Sequence, residues 1–291
     1  MNDLSLSDFP NHIRESFVDF DDLHKSLIPI KKQRNDGVFQ TYYVSNKNQH
    51  KDKRDEQTRE ARLDNRRTMV KRAICGLVGK CEKSDRIKQT IYFSYRQGGN
   101  RATKKSLSRG WNKNRFLISM MESAVQNNVW FKSVYEIAKK GSRLKSGYEN
   151  EPYLSNDGKH VIKLNNLSFL NDDDYHGFET TRNFDYFVER LYIHNVLFPQ
   201  DKYEIVGFGK NSKGETCIVL KQPFVKKAKL ASYNKVEKVL LEKGFKKETT
   251  KYGLKCFSNG KCRLSDVKPQ NVLIDMGGNL RFIDLDVEMV R

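Results

Sequence analysis

Residues 264–286 read LSDVKPQNVLIDMGGNLRFIDLD. Asp266, Lys268 and Asn271 stand in a D-x-K-x-x-N spacing, and Asp284 follows eighteen positions after Asp266, behind Phe282 and Ile283. These residue types answer to one chemistry. Phosphoryl transfer needs a carboxylate to orient an acceptor hydroxyl, a cation near the moving phosphate, and an amide with a second carboxylate to hold Mg²⁺ between phosphate oxygens. The stretch supplies all four. An ordinary polar turn before a buried strand would also use Asp, Pro and Asn, but it gives no reason for a second acid at that separation.

Working outward, Tyr252–Phe257 and Lys261–Leu264, joined through Asn259-Gly260, predict a hairpin that delivers Asp266. Ser232–Lys243 predicts an amphipathic helix through Val236, Val239, Leu240 and Leu241, ended by Gly244. Tyr203–Gly209 and Thr216–Leu220 flank the turn Asn211–Gly214 as a second hairpin, and Lys221–Phe224 follows as an extended connection that suits Pro223. Phe184, Phe187, Val188, Leu191, Tyr192 and Val196 recur at three- and four-residue spacing, which predicts a helix over Asn183–Val196. Lys163 lies in the strand-like run Val161–Leu164, with another strand at Pro152–Leu154 and a turn at Asn156–Gly158. Further toward the N-terminus, Arg115–Lys139 reads as one or two helices, Gln89–Tyr95 as a strand, and Val38–Val44 as a strand.

The runs VIKLNN, FDYFVERLYIHNVLFPQDKYEIVGF, VLKQPFV and LSDVKPQNVLIDMGGNLRFIDLD together resemble the compact kinase-like domain found in polyvalent proteins of phages and mobile genetic elements, over about residues 135–291. The resemblance implies an α+β protein-kinase-like fold with a small N-lobe β-sheet and a reduced C-lobe, and an ATP- and Mg²⁺-dependent kinase acting on an alcohol group of an unidentified acceptor. In that family Asp266 matches the catalytic base, Lys268 the cation that steadies the transferred phosphate, and Asn271 with Asp284 the metal ligands. Lys163 matches the strand lysine on the nucleotide phosphates, and Glu189 the helix glutamate that orients it, with Glu179 and Asp185 as rivals. Gly147 falls in a two-glycine stretch, Gly141–Tyr148, that could cover phosphates or simply connect strands, and Gln222 falls at the hinge whose backbone holds the adenine edge. Three positions depart from the usual kinase pattern. Leu264-Ser265 replaces His-Arg, and Asp286 stands where a glycine follows two after the metal aspartate. The seven residues after Asp284 imply no activation segment and no peptide platform. Atypical kinases of small molecules share the Asp-to-Asn loop, so a metabolite acceptor stays open. The alternative from another class is a non-catalytic, kinase-like nucleotide-binding scaffold associated with nucleic acid.

Composition sets the remaining bounds. The 291 residues carry a net charge of +18, and 37% are hydrophobic. The excess is uneven: residues 1–115 hold 26 Lys and Arg against 14 Asp and Glu, and residues 116–291 hold 28 against 22. Arg59, Arg62 and Arg66 share one face of a predicted charged helix, and the stretch from Arg96 to Arg115 mixes Lys104, Lys105 and Arg109 with Trp111. These features predict a basic N-terminal region, 1–115, that contacts nucleic acid without sequence preference or an acidic protein, ahead of a kinase-like domain at 116–291. A solvated arm with no partner, or one that docks on its own kinase domain, is the competing reading. Five cysteines without a C-x-x-C pair suit free thiols in a reducing compartment better than zinc or disulfides. The start MNDLSLSDFPNH has no signal-peptide pattern, and no run of eighteen apolar residues predicts a membrane span. The expected location is the host cytoplasm or a virion.

Overall fold

The computed structural model describes the backbone of residues 27–33 and 39–45, and residues 68–98, 113–145, 147–168, 184–249 and 255–290. The chain divides into two compact units, Met1–Lys71 and Arg72–Arg291. In the first, strands β1 (Leu27–Gln33) and β2 (Phe39–Ser45) pair antiparallel, Leu27 opposite Ser45. The predicted basic helix around Arg59 and most of the stretch from Arg96 to Arg115 lie outside the described residues.

The second unit begins within helix α1 (68–77), followed by α2 (Ser84–Gly98) and α3 (Lys113–Gln126). Thus the second unit takes in helical segments that the sequence assigns to the N-terminal region. The strand expected over Gln89–Tyr95 lies inside α2. Its buried residues Ile87, Thr90, Ile91 and Ser94 fall at helical spacing, while the β-former Phe93 is 47% exposed, so the period of the buried face overrode local β-propensity.

A five-stranded antiparallel sheet follows in the order β3 (Ala138–Arg143), β4 (Asn150–Ser155), β5 (His160–Asn165), β7 (Thr216–Pro223), β6 (Glu204–Lys210). Helix α4 (Phe184–Leu197) lies between β5 and β6 in sequence. Side chains alternate along a strand. Ile162 and Leu164 therefore join Ala138, Tyr153, Cys217 and Val219 in an apolar cluster on one face, and Lys163 is presented on the other. The extended connection expected at Lys221–Phe224 starts later. Lys221, Gln222 and Pro223 close β7 opposite Ile162, Val161 and His160, and a proline is tolerated at a strand end where it need not extend the ladder.

Beyond the connection, β8 (Lys229–Leu230), α5 (Tyr233–Glu242), β9 (Lys246–Thr249), β10 (Lys255–Ser258), β11 (Cys262–Ser265), β12 (Val272–Ile274), β13 (Leu280–Phe282) and β14 (Asp286–Met289) build the reduced lower lobe. Ser232 caps α5 by accepting from the Lys235 backbone N–H, and Gly244 ends it at φ +81°, a conformation glycine adopts without cost. Two small sheets, β14-β11-β10-β9 and β13-β12-β8, close over a core of Phe198, Leu240, Phe257, Leu264, Val272 and Phe282. This is an α+β, protein-kinase-like fold with a small N-lobe sheet and a reduced C-lobe. Among the described residues no helix is long and apolar enough to cross a membrane.

Candidate active site

The eighteen-residue separation of Asp266 and Asp284 is the length of a loop and a hairpin. Asp266 leaves β11 with φ +56°, in the left-handed region that Asp tolerates better than most residues. The chain then makes a 3-10 turn, Pro269–Asn271, closed by a 2.9 Å bond from the Asn271 N–H to the Lys268 carbonyl. β12 and β13 pair with Val272 opposite Phe282, their turn fixed by the Asp275 carboxylate on the N–H groups of Gly277 and Asn279. A 3.0 Å bond from the Ile283 N–H to the Asn271 carbonyl brings Asp284 back beside the loop.

The loop side chains engage one another. Asn271 Nδ2 donates to Asp266 Oδ2 at 2.7 Å and to the Asp266 carbonyl at 2.9 Å, and Lys268 Nζ lies 2.8 Å from Asp266 Oδ1. Asp266 and Lys268 nonetheless remain about half exposed, open to an incoming group. Because Nδ2 is spent on Asp266, the oxygen of the Asn271 amide is the atom left with ligand character.

Lys163 meets the opposite side of the same segment. Its Nζ donates 2.8 Å to the Ile283 carbonyl and 3.3 Å to the Tyr203 hydroxyl, and lies 3.8 Å from Asp284 Oδ1. Burial pushes the Lys163 pKa down, with Asp284 opposing it. The structure does not bring Glu189 to this lysine. No bond or ion pair joins Glu189 to Lys163 among the described residues, and its charge bears on Cys262, whose thiol is pushed up to about 12 by burial first and by the Glu189 charge second. The helix residue whose charge bears on Lys163 is the next one, Arg190. Asp185 is buried in the first turn of α4, and Glu179 lies outside the described residues. Gly147 sits in the β3–β4 turn with open space where a Cβ would be, so packing within the chain does not require glycine there. The Gln222 side chain donates 2.8 Å to the Asp201 carbonyl and also bears on Tyr203, whose hydroxyl meets Lys163.

The sequence reading missed the residues that hold Phe282–Asp284 in place. Asp201 accepts from the Phe282 N–H at 2.8 Å and from Arg281 Nε at 2.6 Å. His194 Nε2 lies 2.9 Å from the Phe282 carbonyl, and Tyr203 donates its hydroxyl to the Ile283 carbonyl at 2.6 Å. Asn195 fixes Tyr203 in turn, through both the N–H and the carbonyl of its backbone. All four residues come from the run IHNVLFPQDKY, so that run has a physical task. The available signal was its density of polar residues inside an otherwise apolar stretch.

His194 carries a pH dependence. A carbonyl only accepts, so Nε2 bears the proton, and Nδ1 has no hydrogen-bond partner among the described residues. A second proton would sit unpaired in the core, and burial pushes the pKa from 6.5 down to about 3. Between those values the unfolded chain binds more protons than the folded one, so stability falls as pH falls below about 6.5, by up to about 1.4 kcal/mol per pH unit. Unfolding free energies from urea titrations at pH 7.5 and 5.0 should differ by about 2 kcal/mol in wild type and by much less in His194→Gln. Equal pH dependence in the two proteins would remove His194 as the cause.

A family model described as serine/threonine/tyrosine kinase found in polyvalent proteins matches residues 113–291, more than half of the chain. The chain belongs to this kinase family. Its matched segment begins at the first residue of α3 and takes in the five-stranded sheet, α4 and the whole lower lobe. No curated protein and no solved structure matches the chain.

Hard oxygen donors suit Mg²⁺, which binds through one or two protein oxygens and completes its shell with phosphate oxygens and water. The Asn271 amide oxygen and the Asp284 carboxylate, 52% exposed, fit that pattern. Among the described residues no group of three or more His, Cys, Asp or Glu could hold a metal by itself.

Proposed function

We propose that the chain transfers the γ-phosphoryl group of ATP, in a Mg²⁺-dependent reaction, to a hydroxyl of an acceptor. The observation that carries the reading is the mutual contact of Asp266, Lys268 and Asn271 on an exposed turn, next to the Lys163–Asp284 pair. Bound Mg²⁺ would neutralise charge developing on the phosphate oxygens. Asp266 would orient the acceptor hydroxyl and take its proton, and Lys268 would give up part of its hold on Asp266 to face the transferred phosphate. Lys163, already poised by a carbonyl and a hydroxyl, would exchange its weak contact with Asp284 for nucleotide phosphate oxygens. Incubation with γ-labelled ATP and Mg²⁺ tests this through self-labelling and ATP loss, with a chelator as control. The expected result is chelator-sensitive ATP loss. Bound nucleotide without ATP loss or labelling would overturn the activity.

For the N-terminal region, treated as residues 1–115 ahead of the kinase-like domain, the proposed partner is nucleic acid. The excess of Lys and Arg there supports it. Each phosphate neutralised releases condensed counterion and contributes a slope of about 0.7 to 0.9 in log K against log salt. Full-length protein titrated with labelled DNA should therefore lose affinity steeply between about 50 and 200 mM salt. Absence of binding at the low end would remove nucleic acid as the partner.

A further inference from the structure

Arg190, in the middle of α4, forks between two carboxylates. Nη1 donates to Asp286 Oδ1 at 2.7 Å and Nη2 donates to Glu149 Oε2 at 2.8 Å. All three side chains are largely covered, Arg190 at 9%, Asp286 at 13% and Glu149 at 18% exposed. The acids belong to distant parts of the chain. Glu149 is the last residue of the loop between β3 and β4, where its carbonyl accepts from the Asn166 N–H, and its charge bears on Lys163. Asp286 opens β14 two residues after Asp284 and pairs with Ser265, the neighbour of Asp266. The Arg190 guanidinium thus joins the helix, the glycine-bearing loop and the strand that follows Asp284.

Stability is a poor reason for such a group, because desolvating a buried ion triad offsets most of its attraction and apolar residues would pack as well. What a fork does well is fix the relative placement of two planar carboxylates. A glycine at position 286, the residue expected in this place, offers no acceptor, so the departure noted in the sequence creates one half of the contact.

We propose that Arg190 is a positioning residue which latches the β3–β4 loop to the Asp284 segment, with Glu149 and Asp286 as the two arms of the latch. On the reading of the site as an ATP and Mg²⁺ site, the latch takes over the coupling that the Glu189 position does not make. It holds the loop next to Lys163, where nucleotide phosphates would lie.

The first test needs no nucleotide. Limited trypsin digestion of the full chain, mapped by mass spectrometry, reads cleavage after Lys145 in the loop against cleavage after Lys213 in the β6–β7 turn. Asp286→Asn, remote from both sites in sequence, should raise cleavage after Lys145 by on the order of ten-fold, the scale of one charge-assisted hydrogen bond, and leave Lys213 unchanged. Asp286→Glu, which keeps a carboxylate, should restore most of the protection. Equal rises at both sites, or no rise, would overturn the latch. Should Asp286→Asn fail to fold, Glu149→Gln decides the matter by ligand affinity. It should weaken binding of a non-hydrolysable Mg–ATP analogue about ten-fold and leave adenosine binding unchanged, and equal losses for both would overturn the latch. A wild type that binds neither ligand sinks the nucleotide reading, while the digestion result still stands or falls by itself.

Discussion

Asp266→Asn is expected to lower turnover by on the order of a hundred- to ten-thousand-fold, the contribution of a positioned base, while Mg–ATP affinity stays within about two-fold, because a base for the acceptor hydroxyl acts only in the transition state. Asparagine is the right replacement for two structural reasons. It tolerates the φ of +56° at this position, and its oxygen can still accept from Asn271 Nδ2. Single-turnover ATP loss and equilibrium binding, measured on the same preparation, separate the two effects. Undiminished turnover would remove Asp266 from the chemistry, and a parallel loss of binding would recast it as a structural residue.

Asp284→Ala is expected to abolish the Mg²⁺-dependent part of thermal stabilisation by ATP. Ligand at a hundred times its dissociation constant stabilises a folded protein by about 2.7 kcal/mol, which for a unit of this size shifts Tm by roughly 5 to 10 °C. Asp284 is half exposed and its 3.8 Å approach to Lys163 is long, so its loss should leave the fold intact. Wild type and variant with the same Mg²⁺–ATP shift would show that the metal is held elsewhere.

How far the sequence could be read follows from how local each signal is. The Asp266–Asn271 turn was legible because D-x-K-x-x-N packs three interacting side chains into six residues, and their contacts in the fold are short-range. The strand register around Lys163 was legible because alternation fixes which face each residue takes. Glu189 could not be placed from sequence, because an apolar helix buried on nearly every side gives no pattern to say which face meets the lysine. Arg190 with Asp286, His194 with Phe282, and Asp201 with Phe282 each join residues more than eighty positions apart. Nothing in one linear stretch announces such pairs. The helical course of Gln89–Tyr95 was hidden differently, since five of its seven residues are good strand formers and the buried Thr90 and Ser94 do not look apolar.

The backbone of Phe282 and Ile283 has all four of its polar groups engaged: by Asp201, by His194, by Asn271, and by Tyr203 with Lys163. At about 1 kcal/mol net for each of these five bonds, displacing the segment costs on the order of 5 kcal/mol, and it would leave its seat for roughly one part in five thousand of the time. Swinging the Phe282–Asp284 segment in and out is therefore a costly way to switch this molecule. Among the described residues the Arg190 guanidinium ties the β3–β4 loop to that seat, so on the proposed phosphoryl-transfer reading the opening of this loop would set the timing of turnover.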